Sequence, residues 1–192
     1  FKIVRIGIVG TGRIAPRFIS ESKYVSGLTI ECAYNPVEES AKRFEKREKI
    51  KCYTGDYEEF LENVDAVYIA SPNETHFEYA KKAIEAGKHV LSEKPLSFTK
   101  KESEVLYTSA KEKGVVLMEA VKAAYCPGFQ QLINVAKSGK IGDIVDVEAS
   151  FTRLADPLSR ERTDAEYGGA FLEFGPSVLV PVIKLMGKDY TS

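Results

Sequence analysis

Residues 3–15 read Ile-Val-Arg-Ile-Gly-Ile-Val-Gly-Thr-Gly-Arg-Ile-Ala, and this stretch decides the fold. Ile3–Val9 is short, β-branched and almost continuously apolar, as a strand buried on both faces must be. Gly10-Thr11-Gly12 stops it, and a helix is expected over Arg13–Glu21, with Pro16 tolerated in its first turn. Each small residue then has a physical task. Gly10 permits the tight turn, Gly12 lacks a Cβ that would block a pyrophosphate, and Ala15 lets the helix pack closely on the strand. The unpaired amides at the helix start would face the phosphates. The stretch therefore predicts a dinucleotide site built from Gly10, Gly12, Arg13, Ile14 and Ala15. A glycine turn needed only for packing is the plainer alternative.

Working outward, strands are expected at Leu28–Tyr34, Ala66–Ala70, His89–Ser92 and Val115–Glu119. Helices are expected at Val37–Lys46, Tyr57–Asn63, Thr75–Ala86 and Thr99–Lys113, with Gly87 and Gly114 closing the last two. Alternation of this kind means parallel βαβ units, here an α/β doubly wound parallel sheet. From Tyr125 the pattern changes. A helix from Pro127-Gly128 to about Lys137 leads to Ile144–Thr152, which alternates polar and apolar residues like a strand with one wet face. Asp156–Glu166 reads as a charged loop, and Gly168–Gly187 as an apolar helix interrupted by Pro176 and Pro181. A lone strand makes no stable sheet. The expected organisation is a dinucleotide domain over 1–122 and an incomplete second domain over 123–192.

Composition narrows the function classes. With 44% hydrophobic residues the chain can bury a core, and 27 basic against 28 acidic residues leave no footprint for nucleic acid. No apolar run approaches the roughly 20 residues of a membrane span, and Lys2 and Arg5 break the opening apolar stretch in a way no signal peptide shows. Cys32, Cys52 and Cys126 are odd in number and form no CxxC pair. That argues against a disulfide framework or a zinc site and for a reducing, cytoplasmic setting.

Further candidates lie at the strand ends that such a sheet turns toward its ligand. After the second strand, where an acidic residue would select NAD, stands Asn35. It can bond a ribose hydroxyl without repelling a phosphate, so NAD or NADP both remain open; it can also be a turn residue. Ser71-Pro72-Asn73 follows another strand and precedes His76, which either reaches the crevice or packs beneath it. Glu93-Lys94-Pro95 ends the next strand. A lysine displayed there beside a partly desolvated cofactor can exchange a proton with a hydroxyl or carbonyl, and Glu93 can bond a ribose. The alternative is a surface pair of little energetic worth. His89 reads as structural.

GTGRIA at 10–15, SPNETH at 71–76 and EKP at 93–95, in that order on those elements, resemble the Gfo/Idh/MocA oxidoreductases. The likeness continues through Ala124-Tyr125-Cys126-Pro127-Gly128-Phe129 and the GKIGDIVDVEASF stretch. It implies an N-terminal NAD(P) Rossmann domain and a C-terminal α/β domain with a largely antiparallel sheet. It also implies hydride transfer to or from a sugar, cyclitol or related polyol, and homo-oligomers, dimers or tetramers, formed through that sheet. Lys94-Pro95 would be cis and Lys94 the proton-transferring lysine, assisted by Tyr125 or Lys122, with Glu93 and Asn73 on the nicotinamide side and no metal. The chain departs from the pattern where Glu173 replaces the family's aspartate and Ser177 its histidine; Val180 stands where a further aspartate often follows. A module that binds a dinucleotide without turnover is the second reading.

Overall fold

The computed structural model describes residues 3–154, 156–157 and 160–189. The chain divides into two compact units, Phe1–Ala120 and Val121–Ser192.

In the first unit, strands β1 (Val4–Val9), β2 (Leu28–Tyr34), β3 (Cys52–Thr54), β4 (Ala66–Ile69), β5 (His89–Ser92) and β6 (Leu117–Glu119) form one sheet in the order β3-β2-β1-β4-β5-β6. Every pairing is parallel. Helices α1 (Ala15–Ser22), α2 (Glu38–Glu48), α3 (Tyr57–Glu62), α4 (His76–Glu85) and α5 (Lys100–Lys113) connect the strands, and a 3₁₀ turn, Asn73–Thr75, precedes α4. Both faces of the sheet are covered. Val9, Cys32, Tyr34, Phe60, Val67, Ile69, Val90 and Leu106 pack in one buried cluster, and Ile8, Ala15, Ile19, Ala33, Phe44 and Tyr68 in the other. Each large side chain taken fully from water contributes about 1.5–3 kcal/mol. Gly7 makes room for this packing, since a Cβ there would collide with the Phe60 ring.

Local chemistry sets the helix boundaries. Asp56 accepts the amides of Glu58 and Glu59 at the start of α3. Thr99 and Glu102 form a reciprocal capping box on α5, which ends in Gly114 at φ 66°. The strand ends of β1, β2 and β4 come level, with Val9 beside both Tyr34 and Ile69. The site is assembled along this line.

Two expectations need correction in the sheet. Cys52–Thr54 is a strand, pairing with β2 at the sheet edge. Cys32 and Cys52 stand in register on it, 4.6 Å apart at Cα, and form a disulfide. Odd cysteine number and the lack of a CxxC pair do not detect two cysteines brought together by neighbouring strands, and the compartment argument built on them loses its basis.

The described part of the second unit is helical: α6 (Lys122–Tyr125), α7 (Pro127–Lys137), α8 (Arg160–Thr163) and α9 (Ala170–Met186). Helix α9 packs against α6 and α7. It runs through Pro176 and Pro181 where an interruption was expected, although each ring removes a backbone bond and crowds the carbonyl four residues before it, at about 3 kcal/mol. The alternating segment 144–152 forms no strand; it finds no partner among the described residues, and a strand exists only when paired. The antiparallel sheet expected here is therefore absent from the described residues. Phe151 stacks on Phe174, with centroids 4.8 Å apart, while Val145, Leu154 and Phe171 are exposed. Among the described residues no helix is long and apolar enough to cross a membrane.

Candidate cofactor and substrate site

The turn after β1 is shaped by two glycines with opposite surroundings. Gly10 adopts φ +93° and donates its amide to Tyr34 O at 2.9 Å. A Cβ on it would lie 2.7 Å from Ser71 N and 2.8 Å from the Ala70 carbonyl carbon. A Cβ on Gly12 would meet nothing within 4 Å. Open space therefore lies directly over the backbone at the point where α1 begins. Ile14, at the N-cap of α1, makes no side-chain capping bond, and the first turn holds no acidic residue. The helix end, with its partial positive charge, is left for an anion, and the fully buried Ala15 seats it against the sheet. Arg13 and Ile14 are exposed on the rim of the same turn. These residues fit the diphosphate of a dinucleotide.

Asn35 joins this turn. Its Nδ2 donates to Thr11 Oγ1 at 2.8 Å, and its Oδ1 accepts the amide of Val37 at 2.9 Å. It is thus a turn residue and also a strap across the glycine loop. Nothing in the position of Thr11 between the glycines hints at a partner 24 residues away.

The turn after β5 is built by side chains. Lys94-Pro95 is cis, as the resemblance implied. Glu93 donates its amide to Ile69 O at 2.8 Å, and its Oε1 accepts from Tyr68 Oη at 2.6 Å. The Tyr68 ring is 2% exposed and lies flat on Phe18 of α1, centroids 3.8 Å apart. Burial, then the charge of Glu93, pushes the Tyr68 phenol well above its ordinary pKa and keeps it a donor. Glu119 Oε1 accepts Leu96 N at 2.9 Å on the far side of the turn. Tyr68 and Glu119 escaped the sequence reading because each looks like an ordinary strand residue. Pro95 and Leu96 are buried and Lys94 is half-exposed.

His76 is corrected here. Its ring is 1% exposed, with Nδ1 2.8 Å from Pro95 O and Nε2 2.9 Å from Ser71 O. Both nitrogens face backbone carbonyls, so the residue braces two turns against each other and presents no nitrogen to a cofactor. Ser71 Oγ lies 2.7 Å from Thr75 Oγ1, which donates to Pro72 O at 2.6 Å, so the Ser71-Pro72-Asn73 turn holds itself closed. Asn73 is half-buried at its head. His89 is structural, accepting Val116 N at Nδ1.

The remaining candidates belong to the second unit. Lys122 and Tyr125 begin and end α6, with Tyr125 58% exposed, and Glu173 and Ser177 lie on α9. Among the described residues no group of three or more His, Cys, Asp or Glu gathers into a metal site.

A family profile for oxidoreductases with an NAD-binding Rossmann fold (Gfo/Idh/MocA) matches residues 4–121. The scyllo-inositol 2-dehydrogenase (NADP+) IolU of Bacillus subtilis is 31% identical, over 96% of this chain and 59% of its own. The dTDP-3,4-didehydro-2,6-dideoxy-α-D-glucose 3-reductase of Actinomadura kijaniata is 34% identical, over 90% of this chain and 53% of its own. The crystal structure of a variant of KijD10, a 3-ketoreductase from the same organism in complex with TDP-benzene and NADP, superposes with a TM-score of 0.80. It is 33% identical, over 90% of this chain and 54% of that one. The chain spans a little over half the length of these relatives.

Proposed function

The chain belongs to the Gfo/Idh/MocA oxidoreductase family, and from that premise we propose that it interconverts an alcohol and a ketone on a sugar or cyclitol, using NAD or NADP. The relatives named above act on an inositol and on a nucleotide-linked sugar. The observation that carries the proposal is the juxtaposition along one edge of the sheet. An open glycine turn with an uncapped helix end follows β1, and a clamped turn displaying Lys94 follows β5.

The roles follow from the chemistry. The backbone of Gly10–Ala15 holds the diphosphate, with Arg13 and Ile14 on its rim. Asn35 offers an amide N–H to a ribose hydroxyl, its other side-chain bonds being spent on Thr11 and Val37. Ser71, Pro72 and Asn73 border the nicotinamide half, and the Glu93 carboxylate accepts from a ribose hydroxyl. A bound nicotinamide would supply the hydride chemistry, at the carbinol carbon in oxidation and at the carbonyl carbon in reduction. Lys94 Nζ takes the hydroxyl proton in oxidation and gives it back in reduction. Tyr125 is a further candidate for proton transfer and Lys122 a further candidate for the cofactor.

Ser177 stands where the family pattern has a histidine, and this substitution favours a second reading, a module that binds the dinucleotide without turnover. Turnover of a panel of inositols, sugars and their keto forms with each cofactor separates the two. Oxidation or reduction that disappears in Lys94→Ala supports the enzyme. Tight cofactor binding, no turnover on any substrate and no effect of Lys94→Ala supports the module.

A further inference from the structure

We propose that Tyr68 is a positioning residue for this reaction: its phenol holds the Glu93 carboxylate in the orientation that receives the cofactor. The inference rests on the function proposed above and deepens it.

The other buried members of the cluster around Tyr68 (Ile8, Ala15, Ile19, Ala33, Phe44 and Ile50) carry no polar side-chain atom. Packing in that company needs a ring and no hydroxyl, and a buried hydroxyl is costly unless it is bonded. The bond it makes goes to a carboxylate at the end of the neighbouring strand, at 2.6 Å, within the range of charge-assisted O–H···O⁻ bonds. Strand β4 is central, so the ring has little freedom to follow Glu93 if the carboxylate moves. The ring also lies flat on Phe18, in the helix whose first residue borders the glycine turn. Tyr68 therefore touches both α1 and the Glu93-Lys94-Pro95 turn. With Oε1 occupied by the phenol, Glu93 is left with Oε2 to accept a ribose hydroxyl. A half-buried glutamate without that bond would sample several rotamers and lose that freedom on binding.

The test is a double-mutant cycle read by calorimetric titration of NAD and NADP and by the KM and kcat of turnover. Tyr68→Phe is expected to weaken cofactor binding roughly tenfold and to raise the cofactor KM more than it lowers kcat. In the Glu93→Ala background, adding Tyr68→Phe is expected to change cofactor affinity less than twofold, because the group through which it acts is already gone. A merely structural tyrosine would lower the melting temperature and leave this coupling at zero. Wild-type affinity in Tyr68→Phe, or a full tenfold loss added on top of Glu93→Ala, overturns the inference. Phe18→Leu, which disturbs the stack and keeps the hydroxyl, serves as a packing control and should preserve the coupling. A wild-type protein that binds neither NAD nor NADP overturns the proposed function itself and this inference with it, a result distinct from binding that ignores Tyr68.

Discussion

Two turns at one edge of the same sheet are built by opposite means. The turn after β1 is made of backbone: Gly10 is pressed against Ala70 and Ser71, Gly12 leaves open space, and the helix end beyond is uncapped. The turn after β5 is made of side chains: Tyr68 fastens residue 93, His76 residue 95 and Glu119 residue 96. The first is left open at an uncapped helix end, which suits an anion. The second is fixed at the residues on either side of Lys94. A diphosphate is recognised by several amides at once, whereas proton transfer depends on one atom at one place. On the function proposed above, the two constructions answer those two needs.

The strongest way to break this contrast is Lys94→Ala. Because the clamps act on residues 93, 95 and 96, removing the amine should cost less stability than breaking a clamp does. The turnover number should nonetheless fall by about 10²–10⁴, the usual contribution of a positioned acid or base. Equal losses of stability and activity would mean that the lysine belongs to the clamp.

The two glycines make a paired test. Gly10→Ala places a Cβ against backbone at a φ that L-residues rarely adopt, and should cost about 3 kcal/mol or more of stability, seen in chemical denaturation. Gly12→Ala meets no protein atom, so the midpoint should hardly move while the affinity for NAD or NADP drops at least about tenfold. If Gly12→Ala binds cofactor as well as the wild type, the open space is not where a diphosphate sits.

His76→Ala removes the brace between the two turns. The carbonyl that accepts the ring N–H loses its donor, at about 1–3 kcal/mol for an unsatisfied buried group, and kcat should fall with the melting temperature because the Lys94 backbone is no longer pinned. His76→Asn keeps one bond and should recover part of both. Activity that survives His76→Ala intact would show that the cis turn holds itself.

How legible these turns were in the sequence differs for the same physical reason. The backbone turn is local: glycine, glycine and alanine spaced on a strand–helix junction carry their own conformational demand, so Gly10, Gly12 and Ala15 stand where they were read. The parallel sheet was equally readable, because a strand that ends buried on both faces leaves a continuous apolar run, here Ile6–Val9, even though Ile3, Val4 and Arg5 before it are exposed. The clamped turn is a matter of long-range pairing. Tyr68 and Glu93 are 25 residues apart and His76 and Pro95 19 apart, and neither pair leaves a periodic or spacing signal. The Cys32–Cys52 bond was missed for that reason, and His76 looked available to a ligand because its partners are main-chain carbonyls, invisible in any sequence. The segment 144–152 shows the converse, a clear alternating pattern whose structure depends on a partner strand that it does not meet among the described residues.

The smallest expected effect probes a side-chain strap on the backbone turn. Asn35 bonds Thr11 through Nδ2 and Val37 through Oδ1, so Asn35→Ala removes both bonds together. If the glycine turn is held chiefly by its backbone, the loss should be no more than the worth of one or two partly exposed hydrogen bonds, about 1 kcal/mol. Thermal melting and cofactor titration read it as a shift of a few degrees and a weakening of roughly fivefold or less. Asn35→Asp keeps the bond to Val37, exchanges the amide donor for an acceptor that the Thr11 hydroxyl can still satisfy, and adds a negative charge at the ribose position. Its stability should match the wild type while its preference moves toward NAD. A collapse of cofactor binding in Asn35→Ala as deep as that in Gly12→Ala would contradict the contrast, since the turn after β1 would then depend on a side-chain clamp as much as the turn after β5 does.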